Sequence, residues 1–242
     1  MKRHIYNIIK IVLLVAVIVV AVVANVSHKN TVVKDMEVIV HYADNDTLVT
    51  ADELHSAILE QYHGITTLSV KEVNLAKVRD IACQNPFVEK ATVFLPVNAK
   101  ILVKVEQRTP MVRVYTPNNQ FYLDTKGRYM PISKIGNQRV IIANGNIKKD
   151  FTGKTADIDI EKMTSENPKA ENYDIVKVYR LAKYIFSNPK AQSLFDQIYI
   201  NSDGDLEIIP KLGGHTVVIG GTDRLEEKFE NLFALYSKGL SK

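Results

Sequence analysis

Asn85-Pro86-Phe87-Val88-Glu89-Lys90-Ala91-Thr92-Val93-Phe94-Leu95-Pro96 ends one kind of structure and starts another. Proline lacks an N–H and its ring clashes with the preceding turn, so a helix that reaches Asn85 stops there. Beyond it, Phe87, Glu89, Ala91, Val93 and Leu95 share one face of an extended segment. After Pro96 to Ala99, the residues Ile101, Val103 and Val105 repeat the alternation, and the two segments read as a hairpin.

Upstream, Met36, Val38, Val40 and Tyr42 alternate with Glu37, Ile39 and His41, which predicts a half-buried strand followed by a turn over Ala43-Asp44-Asn45-Asp46. Thr50-Ala51-Asp52-Glu53 has the spacing of a capping box, and its helix is expected to end at Gly64. Ser69-Val70-Lys71-Glu72 repeats the box, with Val70, Val73, Ala76 or Lys77, and Ile81 as the apolar stripe of a second helix. Strand, helix, helix, strand, strand over 35–108 makes a small α+β unit with both helices on one face of its sheet.

Downstream, 109–242 reads as a mainly antiparallel β domain with covering helices. Val112 and Val114, then Gln120 to Asp124, are strands, and Thr125-Lys126-Gly127 turns the chain toward Tyr129 and Pro131. Arg139 to Ala143 is another short strand. Asn144 to Asn172, with Lys148, Lys149, Asp150, Asp157 and Asp159, is polar enough to predict a mobile excursion. Ile175, Val178, Tyr179, Ala182, Ile185 and Phe186 recur at helical spacing up to Asn188-Pro189. Strands at Phe195 to Ile200, Leu206 to Pro210 and Thr216 to Ile219 form a meander, with a turn at Asp203-Gly204. Asp223 to Lys238 closes the chain as an amphipathic helix capped by Asp223.

The N-terminus is different in kind. Ile5 to Val26 is interrupted only by Asn7, Lys10 and Asn25, and at about 1.5 Å per residue it covers roughly 33 Å. This predicts a transmembrane helix over 5–26, a cytoplasmic stretch 1–4 and a linker 27–34. Lys2, Arg3 and Lys10 orient it with the N-terminus inside. The expected location is the inner membrane, single-pass, with the bulk periplasmic. A cleaved signal peptide ending near Val22-Val23-Ala24 is the competing reading.

Those three basic residues belong to a total of 31 Lys and Arg against 27 Asp and Glu. The remainder is therefore almost neutral, and no nucleic-acid surface is expected. Cys83 is the one cysteine, which excludes an internal disulfide and a thiolate metal cage; it reads as a small apolar side chain on a helix. His4, His28, His41, His55, His63 and His215 contain no i, i+4 pair with a glutamate. Asn201-Ser202-Asp203-Gly204-Asp205 and Asp44-Asn45-Asp46 lack the calcium-loop ligand pattern. Gly213-Gly214 and Gly220-Gly221 do not open a phosphate-binding helix, and Glu226 and Glu227 fall on a solvated helix face. No catalytic residue, cofactor, metal or small-molecule substrate is expected. Asp46-Thr47-Leu48 fits a short O-glycosylation pattern of exported proteins.

From Asn85-Pro86-Phe87-Val88-Glu89-Lys90-Ala91 through Val93 to Leu95-Pro96 and Ile101 to Glu106-Gln107-Arg108-Thr109-Pro110, the chain resembles the POTRA domain of FtsQ/DivIB cell-division proteins. Tyr122-Leu123-Asp124-Thr125-Lys126-Gly127 to Pro131 is similar to the hairpin that opens that family's β domain, and Thr216 to Gly220 with Glu226 to Tyr236 to its closing strand and helix. Phe87 stands where many relatives carry tryptophan. Relatives also continue past the closing helix into one or two further strands.

The resemblance implies a non-enzymatic scaffold, dependent on strand edges, that binds FtsB/DivIC-like and FtsL-like proteins and helps control septal peptidoglycan synthesis. The implied partner-binding positions are Val88, Lys90 and Thr92 in the first unit. In the second they are Thr216, Val217, Val218 and Ile219, with Glu227, Glu230 and Asn231 on the last helix. A POTRA-bearing secretion or outer-membrane assembly factor is the alternative, and a membrane-anchored exported enzyme is a third.

Overall fold

The computed structural model describes residues 2–29, 31–42, 47–96, 98–136, 138–148 and 154–239. The expected turn over 43–46, the first residue of the Asp46-Thr47-Leu48 pattern, and Lys149 and Asp150 of the polar excursion lie outside them. The chain is α+β and divides into two compact units, Met1–Gln107 and Arg108–Lys242.

Helix α1 runs Lys2–Lys29, and over residues 9–23 its side chains are exposed. Among the described residues no helix is long and apolar enough to cross a membrane. This overturns the expected transmembrane helix over 5–26, and with it the single-pass inner-membrane location and the periplasmic placement of the bulk.

The rest of the first unit is β1 (Asp35–His41), α2 (Ala51–Gln61), α3 (Leu75–Cys83), β2 (Val88–Phe94) and β3 (Lys100–Gln107). Thr50 caps α2 as its spacing predicts, its hydroxyl accepting from the Glu53 amide, an interaction worth about 1 kcal/mol. The second box behaves differently. Glu72 Oε2 accepts from both the amide and the hydroxyl of Ser69, but the chain only turns there. The cap of α3 is Asn74, whose side chain accepts from the Lys77 amide. Moving the start by several residues rotates the stripe, so Val78, Ile81 and Ala82 are buried and Cys83 is exposed rather than packed.

The sheet order is β1-β3-β2, with β3 parallel to β1 and antiparallel to β2. Ile101, Val103 and Val105 of β3 are fully buried. In β2 the pairing steps from Val88↔Gln107 to Lys90↔Glu106. The extra residue, Glu89, is a bulge that resets the alternation, so Val88 and Ala91 are the buried residues instead of the Phe87-Glu89-Ala91 series.

The second unit holds β4 (Pro110–Thr116), β5 (Asn119–Asp124), β6 (Tyr129–Met130), β7 (Ile141–Gly145), α4 (Ile160–Glu166), α5 (Asp174–Ser187), α6 (Pro189–Leu194), β8 (Phe195–Ile200), β9 (Leu206–Pro210), β10 (Val217–Gly220) and α7 (Leu225–Gly239). Its sheet order is β10-β9-β8-β7-β4-β5-β6. Two neighbour pairs, β4–β7 and β7–β8, are parallel. Parallel neighbours need a long crossover, which α4 to α6 supply between β7 and β8, while the chain from β4 to β7 passes through β5 and β6. Among its described residues the polar excursion is largely helical. Asp159 caps α4 through the Lys162 amide, and Ile158 and Ile160 are each 3% exposed. Asn188-Pro189 ends α5 and also starts α6, the Asn188 side chain accepting from the Lys190 and Ala191 amides.

Candidate functional site

All four helices of the second unit bury apolar residues in one cluster. It joins Ile160, Val178, Ala191 and Phe229 to Val112, Ala143, Ile198 and Ile208 on one face of the sheet. The sheet ends at β10, which pairs with β9 on one side through Val217↔Ile208, Val218↔Glu207 and Gly220↔Leu206, with a bulge at Ile219. No described strand lies on its other side. An end strand of this kind presents unpaired N–H and C=O groups.

Of the four positions expected in this strand, Thr216 is exposed and lies one residue before β10, Val217 is half-buried, Val218 is 64% exposed and Ile219 is packed in the core. Helix α7 is held against α5, the start of β8 and the loop before β10 by aromatic contacts. The Phe229 ring lies 4.4 Å from that of Tyr184 and 6.0 Å from that of Phe195, centroid to centroid. The Tyr236 ring packs on Phe195 and on His215, which leads into β10. Glu227, Glu230 and Asn231 are exposed on the opposite side of the helix.

Burial pushes the Tyr184 hydroxyl above its ordinary value, and the carboxylates of Glu226 and Glu230 add to the rise. Asp223 does not cap α7. Its carboxylate is bound by Lys228 Nζ at 3.2 Å, which together with that charge holds it below the usual range. Lys228 Nζ also donates to the Gly221 carbonyl, fixing the turn between β10 and α7.

In the first unit β2 is likewise an outer strand. Lys90 is exposed and pairs across to Glu106, Thr92 is half-buried opposite Lys104, and Val88 is a core residue at 6% exposure. Its side chain is not available at the surface, because the bulge at Glu89 turns it inward.

Leu212, 86% exposed in the loop before β10, and Leu235, 57% exposed on α7, also lie in the closing strand-and-helix region. Sequence reading passed over both. A single apolar residue in a loop or on a helix carries no periodic signal, although Leu212 between Lys211 and Gly213-Gly214 could have been noticed.

Among the described residues no three His, Cys, Asp or Glu side chains are placed to hold a metal ion. What the arrangement offers chemically is hydrogen-bonding backbone at two strand edges. Residues 109–242 match the model of the family described as FtsQ/DivIB, C-terminal related. No curated protein gives a significant match.

Proposed function

The chain belongs to the FtsQ/DivIB family, and on that premise we propose that it is a non-enzymatic division scaffold that binds FtsB/DivIC-like and FtsL-like proteins through strand edges. By holding those partners it helps control septal peptidoglycan synthesis. The observation that carries this reading is β10. It is an end strand with one edge unoccupied by the described chain, flanked by the exposed acidic side of α7.

A partner segment laid along β10 gains main-chain hydrogen bonds, and selectivity comes from alternate side chains. Glu230 favours a partner with basic residues beyond its strand, while Glu227 is already met by Arg224 Nη1 at 3.3 Å. We also assign the first unit to the POTRA type. Its β1-α2-α3-β2-β3 succession and central β3 support that assignment, and the outer edge of β2 at Lys90 and Thr92 is its docking surface.

The test is replacement of the protein in dividing cells by Thr216→Pro and Val218→Lys variants. Neither alters a buried side chain, and both oppose strand addition. The expected result is loss of co-purified division proteins after crosslinking, together with failed septation. Normal septation in cells depleted of the protein overturns the proposal.

A further inference from the structure

On the face of the second sheet opposite the helices, from β10 to β4, Val218 and Ile142 are exposed and Glu207, Ile209, Tyr199, Gln197, Asn144, Tyr115 and Arg113 are half-buried. The register puts Val218, Glu207, Tyr199 and Asn144 in one row across β10, β9, β8 and β7, with Tyr115 of β4 following the Val114↔Ala143 pair at the level of Asn144. A second row holds Ile209, Gln197, Ile142 and Arg113.

The surface is aromatic and amide in character. The Tyr115 ring carries the Arg113 guanidinium 5.0 Å from its centroid, and Arg113 donates to Gln120 Oε1 at 2.8 Å. Gln197 Nε2 donates to Asn144 Oδ1 at 2.9 Å. That leaves the Gln197 carbonyl oxygen and the Asn144 NH2 without a partner among the described residues. The Tyr115 and Tyr199 hydroxyls also make no hydrogen bond within the described protein.

Within these two rows charge is balanced, since Arg113 is engaged with Gln120 and Glu207 accepts from Asn201 Nδ2 at 2.9 Å. A charged polymer has nothing to select it. Four strand spacings of about 4.8 Å by two rows give a band of roughly 20 by 10 Å, about 200 Å². Stable protein partners bury about 800 Å² each, so the band is too narrow for a second copy or a protein face. It suits a thin linear chain.

Tyr115 and Tyr199 are two strand spacings apart, about 10 Å. That is close to the distance between alternate rings of an extended β-linked sugar chain, with an amide pair between them to meet hydroxyl or acetamido groups. We infer that this face is a binding site for an uncharged, extended β-linked glycan running across the strands, its alternate rings stacked on Tyr115 and Tyr199. The two stacking positions lie on β8 and β4, away from the partner edge of β10, whose Val218 only ends the first row.

The test is saturation-transfer NMR and titration calorimetry on the full chain with chitotetraose, against α-linked maltotetraose and an extended octapeptide. Chitotetraose alone is expected to bind. Tyr199→Ala and Tyr115→Ala are expected to weaken it roughly three- to tenfold, as loss of one aromatic stack would, while Tyr199→Phe binds as the parent does. Circular dichroism confirms that the variants are folded, and Thr216→Pro, aimed at the partner edge, leaves glycan binding unchanged. Absence of chitotetraose binding, equal binding of maltotetraose, preference for the peptide, or insensitivity to both alanine variants overturns the inference.

Discussion

Arg108 Nε donates to Asp124 Oδ2 at 2.9 Å, joining the residue that enters β4 to the one that ends β5. Asp124 is 1% exposed and is shared: Arg128 Nε and Nη2 reach the same oxygen at 3.0 and 2.8 Å. Its Oδ1 accepts the amides of Lys126 and Arg128. Removing one member of a buried pair strands the other, so Asp124→Ala is expected to lower stability by about 3–5 kcal/mol. Urea denaturation of the full chain, followed by circular dichroism, measures the loss. Arg128→Ala, at a position one-third exposed, should cost much less.

Gly145 has φ +101°, and a Cβ there would lie 2.3 Å from the Ile200 carbonyl oxygen across the β7–β8 pair. Backbone must move to admit it, so Gly145→Ala is expected to cost more than about 2 kcal/mol. Gly214 has open space around its Cβ position and an ordinary φ. Gly214→Ala should be neutral or slightly stabilising, and urea denaturation followed by circular dichroism measures both variants.

Gln107 Oε1 accepts the Leu48 amide at 2.7 Å and the Val49 amide at 3.3 Å, both in the buried core of the first unit. Gln107→Leu leaves those donors without their acceptor, at about 1–3 kcal/mol. Gln107→Glu keeps an acceptor and should retain most of the stability lost by the leucine variant in parallel urea titrations.

The Glu72 carboxyl is held below its ordinary value of 4.5, first by the Ser69 hydroxyl and then by the Ser69 amide. With the folded value depressed, its contribution is present above the unfolded value and fades as pH falls through the folded one. The urea midpoint of the parent should therefore fall below about pH 4.5, and Glu72→Gln should show a smaller part of that fall.

Most elements were legible because their signals are local. Thr50 with Glu53, the Asn85-Pro86 stop, and alternation in Ile101, Val103 and Val105 need no knowledge of neighbours. What escaped depends on partners elsewhere in the chain. The bulge at Glu89 exists only against β3, and it alone reverses Val88 from surface to core. The Asp159 cap and buried Ile158 and Ile160 sit among so many polar letters that no period survives. At the candidate edge, the exposure of Thr216 and Val218 and the burial of Ile219 follow from pairing with β9, which alternation alone does not place. The N-terminal run was misjudged on hydropathy, since composition says what a helix tolerates and not what it traverses.

The strand at the middle of the first sheet is the last of the three to be made. Until residues 100–107 leave the ribosome, β1 and β2 have nothing between them, and each carries an unpaired edge. A nascent chain arrested before Lys100 should therefore be chaperone-dependent and prone to aggregate. A few residues more complete both ladders together, which makes release of this unit from its synthetic machinery an abrupt event rather than a gradual one.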